Sequence, residues 1–233
     1  LYRRYIANYY AHVSEVDHHI GEVLACLDEL GVRANTLVIY ASDHGDFVGR
    51  HGMVEKCAVG HKVYGETLRV PLMVSWPGHV RQGVTCDGLA ELVDIYPTVA
   101  ELLGVPRPPD APPLSGRSLV PALTEGKPTG RDFAFSENWS QVAVIGQRYT
   151  LGVWQDPGPA YTRWDWRAKA RDQLYDLQAD PQQTRNLAGA PEAAGAEREL
   201  RAALADWLRR TPDDGRRAVS EVLLKRAKSK PAK

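Results

Sequence analysis

The stretch Thr36-Leu37-Val38-Ile39-Tyr40-Ala41-Ser42-Asp43-His44-Gly45-Asp46 decides how this chain is read. Its first six residues are rich in β-branched and aromatic types and show no polar alternation. That pattern predicts a strand covered on both faces, as in the parallel sheet of an α/β protein. The polar cluster that follows ends the strand. In an open parallel sheet, ligands gather beyond the carboxyl ends of the strands, which is where Asp43 and His44 fall. Successive strand side chains point to opposite faces, so the two can meet one ion only where the chain leaves the strand, a departure Gly45 makes easy. A carboxylate oxygen and an imidazole nitrogen can then share a divalent metal. Oxygen ligands favour calcium, magnesium or manganese, and the imidazole pulls toward manganese or zinc, so ligand type alone leaves the metal open.

Upstream, Val13, Val16, Ile20, Val23, Leu24 and Leu27 recur at helical spacing, with Gly31 placed to stop a helix near Leu30. Downstream, Arg69 to Trp76 reads as a second strand halted by Pro77-Gly78, and Leu92 to Leu103 as a helix ending at Gly104. Helix, strand, loop, strand, helix is the order of an α/β layer architecture. The segment PRPPDAPPLSG, from Pro106 to Gly116, is too proline-rich for regular structure and predicts a subdomain boundary. Beyond it, Phe133 to Trp139, Val142 to Ile145, Tyr149 to Trp154 and Gln173 to Leu177 read as short strands of an antiparallel sheet. Glu192 to Arg209 reads as a helix with Leu200, Leu204 and Leu208 on one face, and the Lys-rich end from Lys225 to Lys233 as a solvated tail. The resulting division is 1–104 for the α/β portion, 105–130 for the connection, 131–215 for a small-sheet subdomain and 216–233 for the tail.

The 233 residues, 43% of them hydrophobic, suffice for a sizeable core. With 29 Lys and Arg against 29 Asp and Glu, there is no bulk charge to draw nucleic acid or an anionic membrane, so anion binding must be local. Cys26, Cys57 and Cys86 are odd in number and widely spaced, against a disulfide framework or structural zinc, and are expected to be small buried or half-buried residues. No apolar run approaches the roughly 20 residues of a membrane span. The chain opens at Leu1 inside a helical pattern, and the expectation is that the natural N-terminus lies upstream. Localisation stays open between cytoplasmic and periplasmic or secreted.

An Asp-His pair after a strand is weak evidence when taken alone, since a capping Asp beside a surface His reads the same way. Lys56, His51 and His61 are each as ordinary singly. Together they bring a cation, imidazoles and a carboxylate to the end of a buried strand, a set suited to holding a tetrahedral oxyanion beside a metal.

The stretch SDHGDFVGRHGMVEK closely resembles the type I sulfatase motif in which a strand ends in S-D-[HN]-G and continues to H-G-x-x-x-K. Tyr64, Arg69-Val70-Pro71-Leu72, Trp76-Pro77-Gly78, Val93-Asp94-Ile95-Tyr96-Pro97-Thr98 and Leu114-Ser115-Gly116-Arg117-Ser118-Leu119 follow in the order of that family's landmarks. The helix before the motif, and Leu174-Tyr175-Asp176-Leu177 with Asp180-Pro181 and Arg185-Asn186-Leu187 after it, extend the resemblance to about Arg210. It implies an alkaline-phosphatase-like sandwich, a mostly parallel sheet flanked by helices, plus a small C-terminal antiparallel sheet with a helix. It implies hydrolysis of a small-molecule or carbohydrate sulfate ester with one divalent metal, calcium foremost and manganese or magnesium as alternatives.

Residue by residue, the resemblance makes Asp43 and His44 metal ligands and Lys56 the lysine that contacts sulfate and offsets charge in the transition state. His51 is either catalytic or structural, Tyr64 and Arg69 are structural, and Lys62 is a rival to Lys56 because CAVGHKV, residues 57–63, is longer than the family spacing. These sulfatases use a formylglycine made within a C/S-x-P-x-R motif. None occurs here, so the nucleophile and the first Asp pair of the metal site are expected in an N-terminal half, without which these residues would hydrolyse nothing. Two rival readings are a phosphonate monoester or phosphodiester hydrolase of the same superfamily and a degenerate, non-catalytic relative. Trp139, Trp154, Trp164 and Trp166 could stack on a sugar, with core packing the expected use of at least half of them. The sequon Asn138-Trp139-Ser140 carries no weight without a secretory signal.

Overall fold

The computed structural model describes residues 1–56, 63–137, 141–154 and 171–211. The expectations for Cys57, His61, Lys62, Trp139, Trp164, Trp166, the sequon and the basic tail lie outside the described residues.

Helix α1 runs from Tyr2 to Glu29, and Gly31 in the left-handed region ends it, as the periodicity predicts. None of its side chains is fully buried, and Val13, Val16 and Val23 of its apolar stripe are exposed. Strand β1, Val38–Ala41, follows, and a loop leads from its end through the one-turn helix α2, Gly65–Leu68, to strand β2, Leu72–Ser75. The α/β class holds, but the pairing differs from the expected parallel neighbour. Strands β1 and β2 are antiparallel, with Val38 opposite Ser75 and Ala41 opposite Leu72. Val38 to Tyr40 are only half-buried. A continuous apolar run encodes a need for cover on two faces; it says nothing about the direction of the neighbouring strand.

A 3₁₀ turn at Leu92–Asp94 opens into helix α3, Ile95–Leu102. Here the chain builds a buried polar centre. Asp94 is fully buried and accepts from the backbone N–H of Glu91 at 2.8 Å and of Arg117 at 2.7 Å. Arg131 lies 2.5 Å from Asp94 and also pairs with Glu91, whose other oxygen accepts from the Phe135 N–H. Burial pushes the Glu91 carboxyl up, while the Phe135 N–H and Arg131 pull it back. Further along α3, the Thr98 hydroxyl donates to the Asp94 carbonyl and accepts from the Leu119 N–H. Gly116 passes so close to the Val93 carbonyl that a Cβ there would overlap it. The motif LSGRSL is thus strapped onto the start of α3, and the proline-rich segment is a loop closed at its base.

The second part is a four-stranded antiparallel meander: β3 Ala134–Glu137, β4 Gln141–Ile145, β5 Tyr149–Trp154 and β6 Gln173–Asp176, in that order. Helix α4, Ala194–Arg210, covers one face. Val142, Val144, Leu151, Val153 and Leu174 pack against Leu200 and Leu204 to form the main core, with Phe135 stacked on Trp207 at 5.0 Å. Cys26 and Cys86, expected to be at least half-buried, are exposed, because α1 presents one to solvent and the loop before α3 the other. Arg69, read as structural, is exposed and forms no ion pair among the described residues.

Two outcomes follow. Removing one partner from a buried ion cluster leaves unpaired charge out of water, so Arg131→Ala should destabilise by about 3–5 kcal/mol in denaturant titration. At the β5–β6 edge, Arg148 holds the Asp176 carboxyl well below the usual carboxylate range through hydrogen bonds at 2.7 and 3.0 Å, helped by the N–H groups of Gln178 and Ala179. A depressed folded-state value stabilises above the unfolded Asp value, about 3.9, and that stability is lost as pH falls through the lower folded value. The stability difference between wild type and Arg148→Met should therefore be largest at neutral pH and shrink below about pH 4 in acid titration.

Candidate active site

At the end of β1 the chain turns sharply, which resolves the opposite-face problem. Ser42 donates its hydroxyl to the His44 carbonyl at 2.7 Å, and the His44 N–H donates to the Asp43 carboxylate at 2.9 Å. Gly45 lies flat against α2: its N–H donates to the Thr67 carbonyl at 3.0 Å, and a Cβ there would overlap the Glu66 carbonyl. Asp43 and His44 consequently face the same way, with carboxylate oxygen and Nε2 3.5 Å apart.

The His44 ring has a defined hydrogen-bond order. Its Nδ1 lies 2.8 Å from the Gly45 carbonyl, which only accepts, so Nδ1 carries the proton and Nε2 offers a lone pair. Lys56 Nζ donates to that lone pair at 3.1 Å. Carboxylate, imidazole and ammonium thus converge at the carboxyl end of the strand. A carboxylate oxygen and an imidazole lone pair 3.5 Å apart suit shared ligation of one cation at bond lengths of about 2.0–2.6 Å. Asp43 is largely open to solvent, and His44 is about one third exposed. Among the described residues, the three-ligand His and carboxylate grouping is elsewhere, at His18, His19 and Glu22 on the open face of α1, and does not include Asp43 or His44.

The loop from Phe47 to Lys56 is held by unusual backbone geometry. Val48, His51 and Glu55 adopt positive φ, with Gly49 and Gly52 between them. Such residues persist where surrounding contacts over-determine them. Here those contacts are Phe47 N–H to the Glu55 carbonyl at 2.9 Å, Gly49 N–H to the Met53 carbonyl at 2.8 Å, and fully buried Phe47. His51 lies tilted against Tyr64 with ring centroids 4.1 Å apart, meets the edge of Phe47 and lies 3.6 Å from Glu66, which also accepts from Arg50. Tyr64 is a packing residue, as expected, and is 8% exposed. Residues that the sequence did not place at the site also converge here. Glu66, Tyr175, Gln173, Gln182 and Gln183 all touch the loop or the segment after it, and the last four lie more than 100 positions away; Tyr175 stands in a recognised motif and Gln173 in an expected strand, but nothing local ties either to this loop.

The arrangement is thus a carboxylate, an imidazole and an ammonium gathered at a strand end in an α/β layer with an antiparallel companion sheet. Residues 2–105 match the family described as Sulfatase. Over 219 residues the chain is 33% identical to the multifunctional alkaline phosphatase superfamily protein PehA of Trinickia caryophylli, covering 88% of this chain and 40% of that one. It is 31% identical over 231 residues to the N-acetylglucosamine-6-O-sulfatase of Bacteroides thetaiotaomicron, covering 96% of this chain and 39% of the relative. A solved structure in complex with its substrate D-glucosamine-2-N,6-O-disulfate superposes with a TM-score of 0.70 at 28% identity, over 87% of this chain and 41% of that chain. Residues 2–105 are a sulfatase-family segment, and the chain as a whole shares the alkaline-phosphatase-like sulfatase fold of these relatives. It spans about two-fifths of the length of these relatives.

Because Gly45 meets the α2 backbone rather than a flexible side chain, Gly45→Ala should act as overpacking. A loss of about 1–3 kcal/mol is expected in thermal or chemical unfolding.

Proposed function

We propose that the protein hydrolyses sulfate esters, with a sulfated carbohydrate as the substrate class, and that the end of β1 supplies part of its active site. The observation that carries this reading is the convergence of Asp43, His44 and Lys56 within 3.1–3.5 Å at the strand's carboxyl end. The sulfatase relatives and the structure with a disulfated glucosamine support the substrate class.

In this reading Asp43, through its carboxylate, and His44, through Nε2, hold a divalent cation, calcium foremost. A cation bound there would polarise the sulfate oxygens and offset their charge. The Gly45 carbonyl keeps the His44 proton on Nδ1, so Nε2 can ligate without losing a proton once Lys56 turns from it toward the substrate. Lys56 brings its ammonium to the same place and donates to the sulfate oxygens, most strongly as charge moves onto the leaving oxygen. His51 we assign to positioning, of its two candidate roles, because its ring is spent on Tyr64, Phe47 and Glu66. These residues hold no C/S-x-P-x-R pattern, so they supply substrate and metal binding and charge stabilisation but no nucleophile.

The Trinickia relative is described as multifunctional, which keeps the phosphorus-ester reading as the rival. In the natural full-length protein, Lys56→Ala should lower kcat/KM for an aryl sulfate about 10²–10³-fold. Asp43→Ala should abolish activation by added calcium after chelation. A wild-type protein that hydrolyses bis-aryl phosphodiesters far faster than aryl sulfates would overturn the sulfate assignment.

A further inference from the structure

The segment Val63 to Gly65, which packs on the loop bearing His51, is tied to the small sheet as well as to the α/β layer. Val63 is 1% exposed and lies over β5, where Gly152 leaves room; a Cβ there would overlap both Val63 and Gln141. The Tyr64 hydroxyl lies 3.0 Å from that of Tyr175 on β6 and accepts from the Gln173 amide at 3.1 Å. Gln183 closes the arrangement. Its side-chain oxygen accepts from the Gly65 N–H at 2.7 Å and its amide nitrogen donates to the Val63 carbonyl at 3.0 Å. One buried side chain thus satisfies the main chain on both sides of Tyr64, as a neighbouring strand would.

Gln183 is itself held for this task. Its backbone sits at φ 52°, and the residue is 3% exposed. The turn it belongs to is locked by Asp180, which accepts from the Thr184 and Arg185 N–H groups at 2.7 and 2.8 Å and is thereby held below the usual carboxylate range. A non-glycine residue in the left-handed region persists only where its surroundings demand it. The path from there runs through contacts: Gln183 fixes Val63 to Gly65, the Tyr64 ring between them lies tilted against His51 with centroids 4.1 Å apart, and His51 belongs to the same strained loop as Lys56.

We infer that Gln183 is a positioning residue: from the small subdomain it sets the placement of the Lys56 loop against Asp43 and His44. This rests on the role proposed above for Lys56. Gln183 touches no reacting atom and acts only through the backbone on either side of Tyr64.

The test is a double-mutant cycle in the natural full-length protein with p-nitrophenyl sulfate. Gln183→Ala should lower kcat/KM about 10–100-fold, but only about 3-fold or less once Lys56→Ala is present, since the two act as a unit. Equal losses in both backgrounds would overturn the inference. Should Gln183→Ala fail to fold, Gln183→Glu serves in the same cycle, because it keeps the acceptor for Gly65 and loses the donor to Val63. If wild type cleaves a phosphodiester and no sulfate ester, the sulfatase reading fails, and the cycle is run on that ester: a loss that shrinks in the Lys56→Ala background supports the inference, and an equal loss overturns it. A further readout needs no turnover. Amide hydrogen exchange across residues 47–56 should quicken at least about tenfold in Gln183→Ala or Gln183→Glu while β4 and β5 stay protected. Unchanged exchange in that loop would overturn the inference.

Discussion

Arg131 reaches two carboxylates, Asp94 and Glu91, that stand three residues apart on one turn, and all three groups are nearly out of water. Charges in that position are tolerable only when each is paired and each remaining lone pair is used. The chain meets the condition by bringing in the Arg117 and Phe135 N–H groups. The consequence is architectural. The start of α3, the strap after the proline-rich loop and the first strand of the small sheet are drawn to one point, so a polar centre ties the small sheet to the first part of the molecule. The main apolar core lies elsewhere, between β4 to β6 and α4.

A second, smaller cluster does what the first cannot. Phe47, Val63, Tyr64 and Tyr175 pack together, and three of them come from the loop region that follows β1. That loop spends backbone strain at Val48, His51 and Glu55, a cost of about 1–3 kcal/mol each by the usual scale. The cluster, together with Glu66 and Gln183, holds it in place. The small sheet therefore acts as a wall against which a strained loop is set, and the ammonium of Lys56 is delivered to the end of β1 from that loop.

Much of this was legible in the chain. The two short strands, the helix stop at Gly31, the four-stranded meander and the leucine face of α4 all follow from periodicity and turn residues, because local propensity and burial agree at each of them. The site was legible for a different reason: Asp43, His44 and Lys56 lie within 14 positions of one another, and a short loop must keep its ends close. What was not legible is the antiparallel pairing of β1 with β2, the exposure of Cys26 and Cys86, and every partner contributed from beyond residue 170. A residue such as Gln183 carries no signature, since a glutamine reads as a surface residue until the structure buries it.

By itself, then, the sequence determined the α/β class with its antiparallel companion and the chemical types at the end of β1. Propensity, patterning and motif spacing are properties of neighbours along the chain. Tertiary structure alone decided that His44 offers Nε2, that Asp43 faces the same way, and that Gln183 and Tyr175 anchor the Lys56 loop. The first two rest on the turn at Gly45 and its hydrogen bond to Thr67, while the anchoring by Gln183 and Tyr175 joins groups that meet only after loops of more than 100 residues have closed, which no local pattern encodes.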